Sequence, residues 1–405
     1  MQQRSGHFSV AELRDMSFRF WVAKLYADSP KYLGAKAAIP EAGSWYVPAT
    51  TKEQDVLIFD GKQVNCFVNS CAHLKLSFAP TGRKFRGKVF PRQGRFPSAH
   101  QIPCPWHRRR HDAKTGLLIG PLPEEDGCFK LRKREVTTRG DLIFEMGNGN
   151  LPSFQALIDC ARFRELGIKP LEVPVTFALK KTCVYNEKID AVTAAANFDE
   201  DAHVDPTHMD TFVHLYDMNT LSVVIYGPDS SAQFVSWSKT GTTHPSKKYR
   251  KLRDMILART GGKPPAFGVI WYRVGAFTTV ERFSLGTSLD DQAIAVSSFI
   301  PNPNGIGSKN VVEFFFPKHI LESEPELIEA FLRAYAETAD EDRELCLAAE
   351  AGYDARIAAG NGDELVIPSN TPEELCLKNY YRYLRLLQAD RVITRNSVIP
   401  LIEVA

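Results

Sequence analysis

Apolar residues recur at helical spacing in the first stretch of the chain, "VAELRDMSFRFWVAKLY", and the run stops near the Pro and Gly of "DSPKYLG". This spacing predicts an N-terminal helical segment over residues 1–43, expected to pack on the C-terminal domain of residues 149–405. From residue 44 to 148 the pattern shortens to the runs "SWYVPA", "DVLIFDG", "QVNCFVN", "LLIGPL", "FKLRKREVTT" and "DLIFEMG", separated by turn residues. Such short, punctuated runs predict a small all-β domain. Into it is inserted a basic loop, "KFRGKVFPRQGRF". Beyond "GNGNLPSF", strands such as "LEVPVTFALKKTCVY", "FGVIWYRVG" and "VVEFFFP" are flanked by helices such as "ELIEAFLRAYAETADEDRELCLAAEAG". Runs of strands bordered by long helices predict an α+β domain with an antiparallel sheet over residues 149–405, rather than βαβ units.

Composition narrows the picture little. With 405 residues the chain is too long for one small core and fits two domains. Hydrophobic residues at 44%, charged residues at 24% and a net charge of +2 carry no excess that favours nucleic acid or membrane. The start has no apolar run of signal-peptide length, and nowhere do about 18 uninterrupted apolar residues occur. A cytoplasmic protein is expected, in which cysteines stay reduced and those beside histidines bind metal or catalyse. Neither G-x-G-x-x-G nor a Walker pattern occurs, so no nicotinamide or flavin is expected on this chain.

Chemistry concentrates in two places. "SCAHLKLSF" and "CPWHRRRHD" each set a cysteine two or three residues before a histidine. Cys71, His73, Cys104 and His107 therefore offer two thiolates and two imidazoles, the ligand set of a tetrahedral zinc or of a Rieske [2Fe–2S] cluster. Zinc fingers usually place two Cys on one knuckle and two His on the other. Here each loop gives one of each, as needed when thiolates bind one iron and imidazoles the other. Cys66, Cys128, Cys160, Cys183, Cys346 and Cys376 have no such partners and are expected in the core.

The second place is "NFDEDAHVDPTHMD". His203 and His208 are five residues apart, which on a continuous helix would turn them about 140° from each other. Pro206 is expected to disfavour helix at Asp205 and to force a turn that brings His208 back beside His203. Two imidazoles and one carboxylate with open positions make the facial triad of a non-haem Fe(II) oxygenase. The bland alternative is an acidic helix end with two exposed histidines.

Taken together, these motifs resemble the Rieske non-haem iron oxygenases, in their α or terminal-oxygenase subunit. C-x-H and C-x-x-H precede N-x-x-[D/E]-x-x-H-x4-H, and an acidic helix lies near the end, so the resemblance spans nearly the whole chain. It implies a Rieske domain over 44–148 and a helix-grip (START-like) catalytic domain over 149–405, an antiparallel sheet wrapped around a long helix. It also implies His203 and His208 as iron ligands, with the third in "EDRELCLAAEAG": Asp342, or else Glu341 or Asp340. Glu200 falls where the family places an acidic bridge from one subunit's Rieske histidine to the neighbour's iron, with Asp201 as its substitute. The implied cofactors are the [2Fe–2S] cluster and a mononuclear Fe(II), with NAD(P)H acting only through a separate reductase or ferredoxin. O2, a small-molecule substrate and a homotrimer complete the expectation.

The chain departs from the family in two respects. The 30 residues between His73 and Cys104 are more than is usual, and Arg108 and Arg109 stand where many members have Gly-Trp. Trp237, Trp271, Tyr272, Phe267 and Phe277 are candidates for a pocket accepting an aromatic ring, though as strand residues they also fit the core. A quaternary ammonium compound of the carnitine or choline type is the alternative substrate. A zinc-stapled, non-enzymatic binding protein is the alternative of another class.

Overall fold

A computed structural model describes residues 7–72, 75–82, 84–85, 88–105, 109–120, 129–147, 154–227, 230–389 and 402–404. The chain divides into two compact units. One comprises residues 1–27, 152–170 and 183–405, the other residues 28–151 and 171–182.

The first unit is built on an eight-stranded sheet. Its strand order is Phe177–Glu187, Ser308–Pro317, Gln292–Pro301, Thr278–Ser284, Val269–Arg273, Ser230–Trp237, Tyr216–Gly227, Ile402–Val404. From Ser308–Pro317 onward every neighbouring pair is antiparallel, as the alternating aromatic and β-branched runs lead one to expect.

One face of this sheet grips the helix Pro325–Ala358, 34 residues long. Pro325 and Glu326 open that helix and Arg356 lies in its last turn, each suited to its end of the helix dipole. It stops where Gly360 takes a φ of +80° and donates its N–H back to Ile357. Leu327, Ile328, Phe331 and Ala334 of the helix share one buried cluster with Trp271, Phe283, Phe314 and Phe316 of the sheet. The Phe331 ring lies 5.1 Å from Phe283 and 5.5 Å from Phe316, both edge-on. A second cluster packs Phe8, Leu13, Phe18 and Val22 against Leu377, Tyr380 and Leu384 of the helix Pro372–Gln388.

The N-terminal helices Val10–Arg14 and Met16–Asp28 end just before Pro30, where the helical spacing stops, and Lys31–Ala35 is a strand. Lys31–Ala35 joins Val136–Arg139 and Leu142–Glu145 in a three-stranded sheet of the second unit. That unit also holds a five-stranded sheet ordered Lys133–Arg134, Val64–Val68, Asp55–Phe59, Ser44–Tyr46, Gln93–Arg95. The basic insert is therefore more than a loop. Its Gln93–Arg95 strand forms a sheet edge, and Phe90 and Phe96 pack on Trp45 at 5.7 and 5.8 Å.

Candidate metal centres and substrate cavity

Cys71 and Cys104 are buried in one cluster with Phe78, Ile102 and Leu131 of the β-rich unit. Each opens a loop closed in the same way: the N–H of Cys71 donates to the carbonyl of Leu76, and that of Cys104 to Arg109, both at 2.7 Å. Two buried thiols of one cluster, each with its N–H paired five residues on, suit the thiolate half of such a ligand set. His73 and His107 lie outside the described residues, as do Arg108 and Cys128. Cys66, Cys160, Cys346 and Cys376 are buried as expected and Cys183 is half-buried. Arg109 stacks its guanidinium 4.8 Å above the Phe129 ring.

The histidine pair is aimed by the residues before it. In "DED", Asp199 and Asp201 turn inward and Glu200 outward. Asp199 accepts from Arg273 Nε at 2.8 Å, and Arg273 also donates to the Ala195 carbonyl. Asp201 accepts from Gln233 Nε2 at 2.6 Å, while its N–H donates to the Glu373 carbonyl. Burial pushes the Asp201 carboxyl far above its ordinary value despite the nearby His203 and Gln233. With both flanks pinned, Glu200 is left facing His203, whose Nδ1 donates to it at 2.8 Å. Asp201, named as the substitute bridge, makes no such bond and anchors the segment instead.

Pro206 does not prevent helix. Val204–Thr207 form a single helical turn with Pro206 in its third position, where its missing N–H is one the first turn would leave unpaired in any case. His208 follows as the C-cap, and the two imidazoles stand 5.4 Å apart.

Asp342 reaches both from the long helix. His208 Nε2 lies 3.0 Å from Asp342 Oδ1 and His203 Nε2 lies 3.4 Å from it. One donor atom from each of the three lies within 4.8 Å of the others. Of the other two carboxylates considered, Glu341 accepts from His208 Nδ1 at 2.7 Å and from Thr211 Oγ1 at 2.7 Å. Asp340 takes no part in the group of three. Asn197 donates to Asp342 Oδ1 at 2.8 Å.

This arrangement fits a mononuclear divalent metal. Carboxylates can only accept, so Glu200 and Glu341 fix the proton of each imidazole on Nδ1 and leave Nε2 as the ligand atom. Burial pulls the His203 imidazole down, but Asp342 and Glu200 outweigh it and raise it to about 10. His208 rises for the same reason, through Asp342 and Glu341. Asp342 is held well below the carboxylate range, since its two histidines outweigh its burial. The cluster thus has an excess of negative charge that a cation would satisfy.

A cavity of about 90 Å³ adjoins Asp342, between the long helix and the sheet. Its wall includes Phe198, Phe212, Phe283, Phe299 and Tyr335, and two carboxylates, Glu187 and Glu281. None of Trp237, Trp271, Tyr272, Phe267 and Phe277 lines it. All five are buried elsewhere, Trp237 and Trp271 in the cluster under the long helix and Phe277 in the cluster with the N-terminal helices.

No family model matches the chain. Among curated proteins it is similar to the putrescine 2-hydroxylase of Ralstonia nicotianae, 27% identical over 370 residues that cover 90% of each chain. It is also similar to that of Bordetella bronchiseptica, at 24% identity over 90% of this chain and 80% of the relative. Among solved structures, a quaternary ammonium Rieske monooxygenase superposes with a TM-score of 0.64 at 14% identity, covering 95% of this chain and 94% of the other. The naphthalene 1,2-dioxygenase of a Rhodococcus species superposes with 0.63 at 13% identity, covering 95% of both. The chain has the fold of the Rieske oxygenase α subunits. Among the described residues no helix is long and apolar enough to cross a membrane.

Thr211 and Gln233 are functional neighbours that sequence reasoning did not assign, and Glu341 was considered only as an alternative ligand, not as the partner of His208. Asn197 stands in the motif, but its bond to Asp342 joins positions 145 residues apart and had no sequence signal of its own.

Proposed function

We propose that this oxygenase hydroxylates a small amine held in the cavity beside Asp342, with His203, His208 and Asp342 binding the iron. The observation that carries the reading is the convergence of His203 Nε2 and His208 Nε2 on Asp342 Oδ1, a residue of the cavity wall, with each imidazole backed by its own carboxylate. Cys71, His73, Cys104 and His107 are the proposed cluster ligands. Bound there, the two iron centres supply single-electron delivery and dioxygen activation. The protein's own contribution is positional. Glu341 and Glu200 orient the imidazoles and Asn197 orients Asp342, and three such protein donors would leave coordination positions of a bound iron free for other ligands.

Glu200 is proposed as the bridge to the cluster of a neighbouring copy in a homotrimer. Its bond to His203 and its outward placement between two buried aspartates support this role. The substrate class rests on the carboxylates set among aromatic rings in the cavity wall, and the names of the curated relatives point the same way. Oxygen-uptake measurement with reductase, NADH and a panel of diamines, N-methylated amines and aromatic hydrocarbons tests the reading. Coupled hydroxylation of an amine is expected, and uptake coupled only to the hydrocarbons would refute the amine assignment.

A further inference from the structure

Glu281 is a carboxylate placed where an apolar residue would be expected. It occupies the middle of a row that runs across the sheet in register: Gln233, Trp271, Glu281, Ala295, Phe314. Its strand neighbour on the same face, Phe283, packs on Phe331 of the long helix. Glu281 is 8% exposed and lines the cavity, and its bond is from Tyr335 Oη at 2.6 Å. Among the described residues no Lys, Arg or His forms an ion pair with it. Glu187, the other glutamate of the cavity, is different: Arg343 Nε meets it at 2.9 Å.

A buried carboxylate without a counter-charge is costly, and one phenol hydroxyl does not offset that cost. Burial pushes the Glu281 carboxyl up to about 8, with Tyr335 opposing the rise and the charge of Asp342 adding to it. We infer that Glu281 is the anchor for a protonated primary amine, selecting ammonium groups that carry N–H bonds over quaternary ones. The inference rests on the reading of this cavity as the oxygenase's substrate site. An ammonium there would donate to the carboxylate at hydrogen-bond distance while the surrounding rings face its charge. A quaternary nitrogen has no hydrogen to donate, and its methyl groups hold the charge further from the oxygens. Tyr335 and Asp342 are seven residues apart on one helix, two turns or ~10 Å along nearly the same face. The anchored nitrogen would therefore sit several bonds from a carbon presented to the iron.

Titration calorimetry on the metal-loaded protein tests the anchor without turnover, using butan-1-amine, its neutral counterpart butan-1-ol and butyltrimethylammonium. Wild-type protein is expected to bind the primary amine at least ~10-fold more tightly than either of the others. Glu281→Gln should weaken the amine by ~10–100-fold, the range of a charge-assisted hydrogen bond, and leave the alcohol within ~3-fold. Iron content and cluster absorption should not change. Equal binding of amine and alcohol by the wild type, or preference for the quaternary compound, would overturn the anchor whether or not the variant folds. Full amine affinity in a folded Glu281→Gln would do the same. Oxygen uptake separates this from the wider reading: amine-coupled uptake with unselective binding removes only the anchor, whereas no uptake with any amine removes the amine-oxygenase reading itself.

Discussion

Replacing Glu341 by Gln should weaken the mononuclear iron without expelling it. The Glu341 carboxylate touches the site through His208 Nδ1 at 2.7 Å and is itself held by Thr211 at 2.7 Å. His208 is 2% exposed, so water cannot replace the lost acceptor charge. Gln keeps the shape and one acceptor, yet removes the charge that raises the basicity of Nε2 and fixes its proton on Nδ1. Outer carboxylates of this kind typically contribute ~10–100-fold to metal affinity, or ~1.4–2.8 kcal/mol. Thr211→Val removes only a neutral donor to Glu341 and should cost about 1 kcal/mol, roughly 5-fold. Asp342→Asn acts on a proposed ligand and should lose more iron than either. Anaerobic Fe(II) titration against a competing chelator gives all three affinities, with the visible absorption of the cluster as an internal control. Wild-type affinity in Glu341→Gln would refute the supporting role, and loss as complete as in Asp342→Asn would make Glu341 itself a ligand.

Other expectations follow from the same geometry. Glu200→Gln should load both metals yet lose turnover, with a reduced cluster that fails to reoxidise in single-turnover experiments; normal reoxidation would exclude the bridge. Cys104→Ala should lose the iron–sulfur absorption and keep iron at the other site, which metal analysis and the visible spectrum read together. His214 is held near pKa 4 by burial and by Arg253, and its Nδ1 accepts from the Thr242 N–H at 3.0 Å. Because the unfolded chain takes up that proton first, the stability His214 contributes is lost as pH falls from about 6.5 towards 4. His214→Asn should therefore show a shallower fall in thermal midpoint over that window, and an unchanged slope would contradict the assignment. Gly268→Ala would drive a Cβ into the carbonyl of Val235 on the neighbouring strand and should destabilise the fold by several kcal/mol, read by urea unfolding; a neutral effect would refute the tight strand contact.

Much of this was legible in the sequence because the chemistry is carried by local spacing. The Cys and His pairs of the β-rich unit and the His203 and His208 pair are each close in sequence, so composition and distance along the chain were informative. Asp342 was reached through the family resemblance of the acidic helix segment, not through spacing to the histidines. What stayed hidden depends on packing between distant segments. The alternation of Asp199, Glu200 and Asp201 reads as a charged run until Arg273 and Gln233 are seen to bury its flanks. The helical turn through Pro206 was missed because proline's missing N–H matters only beyond the first turn, and the start of a four-residue helix is not visible in sequence. The cavity wall was misassigned for a similar reason. Aromatic strand residues were the obvious candidates, but which face each takes depends on sheet register, and the face that met the long helix near Asp342 was drawn largely from other positions.

The account stands or falls on the metals. Iron and acid-labile sulfide determined on anaerobically purified protein, beside the same analysis of Asp342→Ala, test it most directly. A [2Fe–2S] cluster and one mononuclear iron predict ~3 irons and ~2 sulfides per chain, falling to ~2 irons with sulfide unchanged in the variant. A colourless protein holding zinc without sulfide, or a variant that loses sulfide together with all its iron, would contradict it.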